Sequence, residues 1–142
     1  MPLPPEFLYE LHKHFTGDIR TDIASRILYS TDASMYQIEP LGVAVPKNQD
    51  DLQSAVELAA KYKTPILPRG SGSSLGGQAI GEALILDCSR YLTSILEINP
   101  EEHYAIVEPG VILSDLNRAV AKHGLMFGPD PASAQRATMG GV

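Results

Sequence analysis

Hydrophobic positions along this chain change rhythm at about residue 41. From Glu6 to Phe15, the residues Phe7, Leu8, Leu11 and Phe15 recur at helical spacing, and Gly17 follows as a stop, predicting a short amphipathic helix. A second short helix is expected over Asp22 to Leu28. The stretch YSTDASMYQIEP that follows has no clear period and closes at Pro40. Within it Tyr29, Asp32 and Tyr36 suit either a ligand contact or a packed surface loop. Beyond it the pattern becomes strands alternating with helices. LGVAVP reads as a buried strand ended by Pro46, and Asn48 offers a helix N-cap with Asp50 and Asp51 in the first turn, where the helix dipole favours acids. Leu52, Ala55, Val56, Ala59 and Tyr62 form an apolar stripe, with Lys61 and Lys63 at the opposite end and Pro65 marking the exit. The strand PILP completes a strand, helix, strand unit of the length that a right-handed parallel crossover requires.

The second half repeats this alternation. QAIGEALILD reads as loop and strand, and HYAIVEPG as a strand. A helix is expected from Leu113 to His123, burying Leu113, Leu116 and Val120 before Gly124 ends it. LMF reads as a strand leading into GPDPAS, where Pro129 and Pro131 restrict the backbone and can hold Asp130 and Ser133 in fixed directions, although an Asp between prolines often only bonds its own loop. The whole predicts an α+β fold of α/β character. A helical lead-in covers residues 1–40. Residues 41–142 then form a small parallel βαβ-containing subdomain that passes into a mixed or antiparallel sheet with a covering helix.

Charge and composition narrow the function. The net charge of −6 and the absence of a basic stripe argue against a nucleic-acid partner. Cys88 is the single cysteine, so it forms no internal disulfide, and its apolar setting suits a small buried thiol. His12 and His14 lie two apart on the first helix, whereas a helical metal pair needs a spacing of about three or four. His103 and His123 have no partner at ligand spacing, and no metal is assigned. No signal-peptide pattern or membrane-length apolar run is visible, so a soluble cytoplasmic protein is expected, with peripheral attachment to the inner face of a membrane left open.

The stretch PRGSGSSLGG, Pro68 to Gly77, begins where the second parallel strand ends, which is where ligands bind in open sheets of this kind. A nucleotide-hydrolase phosphate loop would end in Lys followed by Ser or Thr, but Leu75, Gly76 and Gly77 stand there. A nicotinamide-dinucleotide fingerprint matches Gly70 and Gly72, but Leu75 occupies the place of its third glycine. What remains is a loop able to turn successive backbone N–H groups toward one anion, with the hydroxyls of Ser71, Ser73 and Ser74 assisting, and a pyrophosphate suits it. A mobile Gly/Ser linker is the plain alternative, weakened by the strands on both flanks.

PILPRGSGSSLGGQAIGEALILDCSR resembles the first flavin-binding segment of the FAD-linked oxidase family, built on the p-cresol methylhydroxylase and vanillyl-alcohol oxidase fold. AIVEPGVILSDLNRAVAKHGLMFGPDPASAQRATMGG is similar to that family's next section. The resemblance covers most of residues 41–142 and implies the N-terminal part of such an FAD-binding domain, incomplete at its C-terminus. It implies that main-chain N–H groups of Arg69, Gly70, Ser71, Gly72, Ser73 and Ser74 wrap the FAD pyrophosphate, with Gln78 at the loop's exit. It also implies that Pro129, Asp130, Ser133, Thr138 and Gly141 approach the flavin and ribityl region. Some members bind flavin covalently through a histidine in the first loop. Ser73 stands at that place, so noncovalent FAD is expected.

The wording PRGSGSSLGGQ and GPDPASAQRATMGG resembles the branch containing D-lactate dehydrogenases and the flavin subunit of glycolate oxidase. That implies oxidation of a small 2-hydroxy acid to the 2-oxo acid, with hydride transfer to flavin N5 and electrons leaving through a separate acceptor, such as an iron–sulfur domain or subunit. The family domain would continue past Val142, so a fragment inactive alone is expected, with the catalytic residues beyond it and none named here. The competing expectation is a binding or self-association module, a homo-oligomer for instance, that keeps the scaffold without flavin.

Overall fold

In the computed structural model, which describes residues 2–142, a helical lead-in joins a four-stranded mixed sheet, and a two-stranded antiparallel sheet follows. The first helix, α1 (Pro5–His14), carries Pro at its first position, where a missing N–H costs nothing. Its inward residues Phe7 and Leu11 are completely buried, and such burial contributes about 1.5–3 kcal/mol for each side chain. Residues 18–20 form a short strand, β1 (Asp18–Arg20), which the sequence pattern did not announce. It runs antiparallel to β2 (Gly42–Val45) and forms one edge of the sheet. Between them lies α2 (Ile23–Leu28), capped by Asp22, whose side chain accepts the Ser25 amide.

All four residues of β2 are buried, as expected for a strand covered on both faces. The next helix, α3 (Gln49–Tyr62), starts at Asn48, whose side chain accepts the Asp51 amide at 2.9 Å. It ends at Lys63, which adopts the left-handed conformation. Ala55, Leu58 and Ala59 face inward, whereas Val56 is 48% exposed, so the buried stripe runs through Leu58 instead of Val56. Helices α1 and α3 pack on one sheet face, where Phe7 meets the Tyr62 ring edge-on at 6.0 Å and Lys61 pairs with Glu10 at 2.7 Å. The lead-in therefore shares one core with the sheet.

The strands β3 (Ile66–Arg69) and β4 (Leu84–Asp87) complete this sheet in the order β1-β2-β4-β3. The unit β2-α3-β3 is parallel as expected, but β4 inserts between its two strands. Leu84 and Leu86 join the helix-covered face, and Ile85 packs with Val43 and Val45 on the other. The second sheet pairs β5 (Ile95–Asn99) with β6 (Tyr104–Val107). Over it lies α4 (Leu113–Ala121), burying Leu113, Leu116 and Val120 as its spacing predicts. Residues 125–127 are not a strand; Leu125 and Phe127 instead pack against this small core as loop. Among the described residues no helix is long and apolar enough to cross a membrane.

Candidate cofactor site

Neighbouring parallel strands need a connection of roughly a dozen residues or more, usually a helix. Here β3 and β4 are joined by residues 70–83 with no helix at all. Gly72 and Gly77 turn this connection through positive φ, +70° and +81°, a region side chains other than glycine's rarely enter. The loop emerges at the carboxyl end of β3 and β4, facing the segment 131–141. That segment is fastened beside the start of α4: the Leu113 amide donates to Ala137 O at 2.9 Å, Ser114 to Ala134 O at 3.0 Å, and Met139 to Val111 O at 2.8 Å. The first two of these bonds satisfy first-turn amides of α4 that would otherwise lack partners. They also carry Thr138 to the glycine loop, against Gly70.

Between the two segments lies a cleft of about 430 Å³. Of the residues put forward by the sequence, Arg69 to Ser74 and Gln78 line it from the loop, and Ser133, Thr138 and Gly141 from the other wall. Pro129 and Asp130 are exposed and lie outside the cleft lining; Pro131 contributes in their place. Ala79 and Ala137 also line it, small residues with no polar signal by which sequence could have found them.

Among the described residues, the amides of Gly70, Ser71, Gly72, Ser73, Ser74 and Leu75 donate to no acceptor in the chain's hydrogen-bond network. Peptide orientation accounts for two of the six. Arg69 O accepts the Cys88 amide at 2.9 Å, so across the trans peptide the Gly70 N–H points away from β4. Gly72 O accepts the Ala33 amide at 3.0 Å, which turns the Ser73 N–H away from residue 33. No Asp or Glu side chain lines the cleft. Asp32 sits on the loop's other side, beside Ser71, Gly72, Ser73 and Leu75. A run of free amides in a loop whose cleft side carries no Asp or Glu suits an anion. Ser71 donates to Ser73 Oγ at 3.3 Å, while Ser74 Oγ accepts the amides of Gly76 and Gln78 and donates to Gln78 Oε1. Ser74 and Gln78 thus fold the loop's far end.

Behind the loop stands the segment the sequence left undecided. Asp32 accepts the Ser34 amide at 2.8 Å and the Ala79 amide at 3.3 Å, and the Tyr36 ring packs on Gly77. The Tyr29 hydroxyl donates to Asp87 Oδ2 at 2.5 Å. Burial first, and then this bond to Asp87, push the Tyr29 phenol up to about 12. These side chains brace the loop, and the Asp-x-Ser turn at 32–34 is the sequence signal for it. Burial, followed by the Asp87 charge, pushes the Cys88 thiol up to about 11, which makes it a poor nucleophile. No group of three or more His, Cys, Asp or Glu residues among the described residues could hold a metal ion.

A cleft lined by residues with unbonded amides and by no Asp or Glu side chain, at the carboxyl ends of parallel strands, stands where ligands bind in such sheets. Residues 40–142 match the FAD binding domain family, and the chain belongs to it; FAD is its cofactor. It is 42% identical over 140 residues to D-2-hydroxyglutarate dehydrogenase of Escherichia coli (strain K12), covering 96% of this chain and 14% of that protein. It is 40% identical over 120 residues to glycolate oxidase subunit GlcD of Bacillus subtilis (strain 168), covering 83% of this chain and 26% of the relative. Among solved structures, alkyldihydroxyacetonephosphate synthase superposes with a TM-score of 0.85 at 26% identity, over 99% of this chain and 29% of that one. p-Cresol methylhydroxylase shares the fold, with a TM-score of 0.76 at 21% identity over 93% of this chain and 27% of that one. The chain thus spans a minor part of the length of each of these proteins.

Proposed function

We propose that the loop from Gly70 to Ser74, led in by Arg69 at the end of β3, cradles the pyrophosphate of FAD, and that the chain is the FAD-binding portion of an oxidoreductase acting on a small 2-hydroxy acid. The observation that carries this reading is the row of unbonded amides from Gly70 to Ser74, in residues that line a cleft with no Asp or Glu side chain. The hydroxy-acid relatives support the substrate class. In this proposal Ser133, Thr138 and Gly141 hold the remainder of the cofactor from the opposite wall, and Gln78 keeps the far end of the loop folded. Pro129 and Asp130 act through the turn that presents Ser133.

FAD, when bound, supplies acceptance of the hydride leaving the hydroxyl-bearing carbon as the hydroxyl proton departs, giving the 2-oxo acid. The chain's own residues bind and orient. None is assigned as the base that takes the proton. A separate acceptor would take the electrons, and Ser73, lacking a nucleophilic ring, would hold the flavin noncovalently.

Adding FAD to the purified chain while following flavin fluorescence and thermal stability tests the binding. Quenching together with a raised melting temperature supports the proposal. No change at high FAD, with concentration-dependent self-association, points to the scaffold-only module instead.

A further inference from the structure

The only cation of the glycine loop is Arg69, and a guanidinium beside a phosphate site ordinarily suggests an ion pair with the phosphate. Its geometry here is different. Nη1 donates to Ala79 O at 3.0 Å and to Tyr29 O at 3.4 Å, and Nη2 donates to Thr31 O at 2.9 Å. The group also lies over the Tyr29 ring, 5.2 Å from its centroid, while the hydroxyl of that ring is fixed on Asp87. Asp87 is in turn the register partner of Arg69 across β3 and β4. One planar fork therefore ties the loop's start, its exit at Ala79 and the brace at Tyr29 and Thr31.

The loop is wrapped directly over this group. A Cβ at Gly72 would stand 2.5 Å from Arg69 Nη2 and 2.9 Å from Cζ, so the backbone of residue 72 rests on the guanidinium. Gly72 O is then bonded to Ala33 on the same brace, which is the bond that sends the Ser73 N–H the other way.

We propose that Arg69 is a positioning residue: its guanidinium, held on the carbonyls of Tyr29, Thr31 and Ala79, shapes the loop that presents the amides and does not itself contact the phosphates. This rests on the reading of the loop as the FAD pyrophosphate cradle. The chemistry separates the two roles. A phosphate contact needs a positive charge, which Lys supplies. Holding carbonyls on several sides needs the flat fork of donors, which Lys lacks.

The test compares FAD affinity, by flavin fluorescence titration, in the unmodified chain, R69K and R69Q, together with the melting temperature of each flavin-free protein. Both variants are expected to weaken FAD binding by roughly ten- to hundredfold and to similar extents. Their flavin-free melting temperatures are expected to stay within about 5 °C of the unmodified chain. R69K binding like the unmodified chain overturns the inference alone. Absence of FAD binding by the unmodified chain removes the cradle reading and this inference with it. If R69Q or R69K does not fold, the side-chain N–H resonances of Arg69 in the unmodified chain decide. They are expected to be slow to exchange before FAD is added and to shift little afterwards; a large shift on FAD binding shows direct contact and overturns the proposal.

Discussion

Gly70 packs its backbone directly on the side chain of Thr138: a Cβ at position 70 would overlap Thr138 Oγ1 and stand 3.1 Å from Thr138 Cβ. This is where the two walls of the cleft meet, so the approach sets its width. Gly70→Ala is expected to destabilise the chain by about 1–3 kcal/mol through overpacking, measured by urea denaturation, and to weaken FAD binding. Adding Thr138→Ala removes the overlapping hydroxyl and is expected to restore most of that stability. A double variant no more stable than Gly70→Ala would show that the cost arises elsewhere.

Asp51 joins the lead-in to the sheet's crossover helix. Its carboxylate is 1% exposed and accepts the Thr16 amide at 2.7 Å, the Lys47 amide at 2.8 Å and the Thr16 hydroxyl at 3.1 Å. Asp51→Ala leaves these donors without their acceptor, and a loss of roughly 2–4 kcal/mol is expected by chemical denaturation. Asn48→Ala removes one capping bond and is expected to cost only about 1 kcal/mol. Equal losses would contradict the role given to Asp51.

Local signals made much of this fold legible. Asn48 as a cap, Pro46 and Pro65 as stops, and Leu113, Leu116 and Val120 on one helical face all stand where the pattern put them. The glycine loop's place after β3 and its positive-φ turns at Gly72 and Gly77 were legible for the same reason, since glycine announces such backbone. What escaped was nonlocal. No pattern in three residues marks β1, and the insertion of β4 between β2 and β3 depends on pairing across the chain. Asp51 looks like an ordinary first-turn acid until Thr16 arrives from a distant loop. The inward use of Arg69, too, depends on Tyr29 and Thr31, about forty residues earlier.

Alkaline pH is expected to erode stability in two overlapping steps. The Cys88 thiol rises from 9.0 to about 11, and the Tyr29 phenol from 10.0 to about 12, each chiefly through burial. A group whose pKa is raised on folding contributes its full stability below the unfolded value and loses it as pH climbs to the folded one. The loss therefore falls between pH 9 and 11 for Cys88 and between pH 10 and 12 for Tyr29. Cys88→Ala is expected to flatten the first part of the stability profile and Tyr29→Phe the second. Profiles unchanged by both substitutions would refute the assignment.

A flavin held without a bond to Ser73 is expected to leave the protein completely on acid precipitation, with all absorbance at flavin wavelengths in the supernatant. Colour retained in the washed pellet would show a covalent link.

Amide hydrogen exchange with and without FAD tests the central claim most directly, because it reads the proposed donors themselves. The account predicts that FAD slows exchange at residues 70–75, with a smaller effect at 138–141 and little change along α1. FAD binding that leaves residues 70–75 exchanging as fast as before would contradict it.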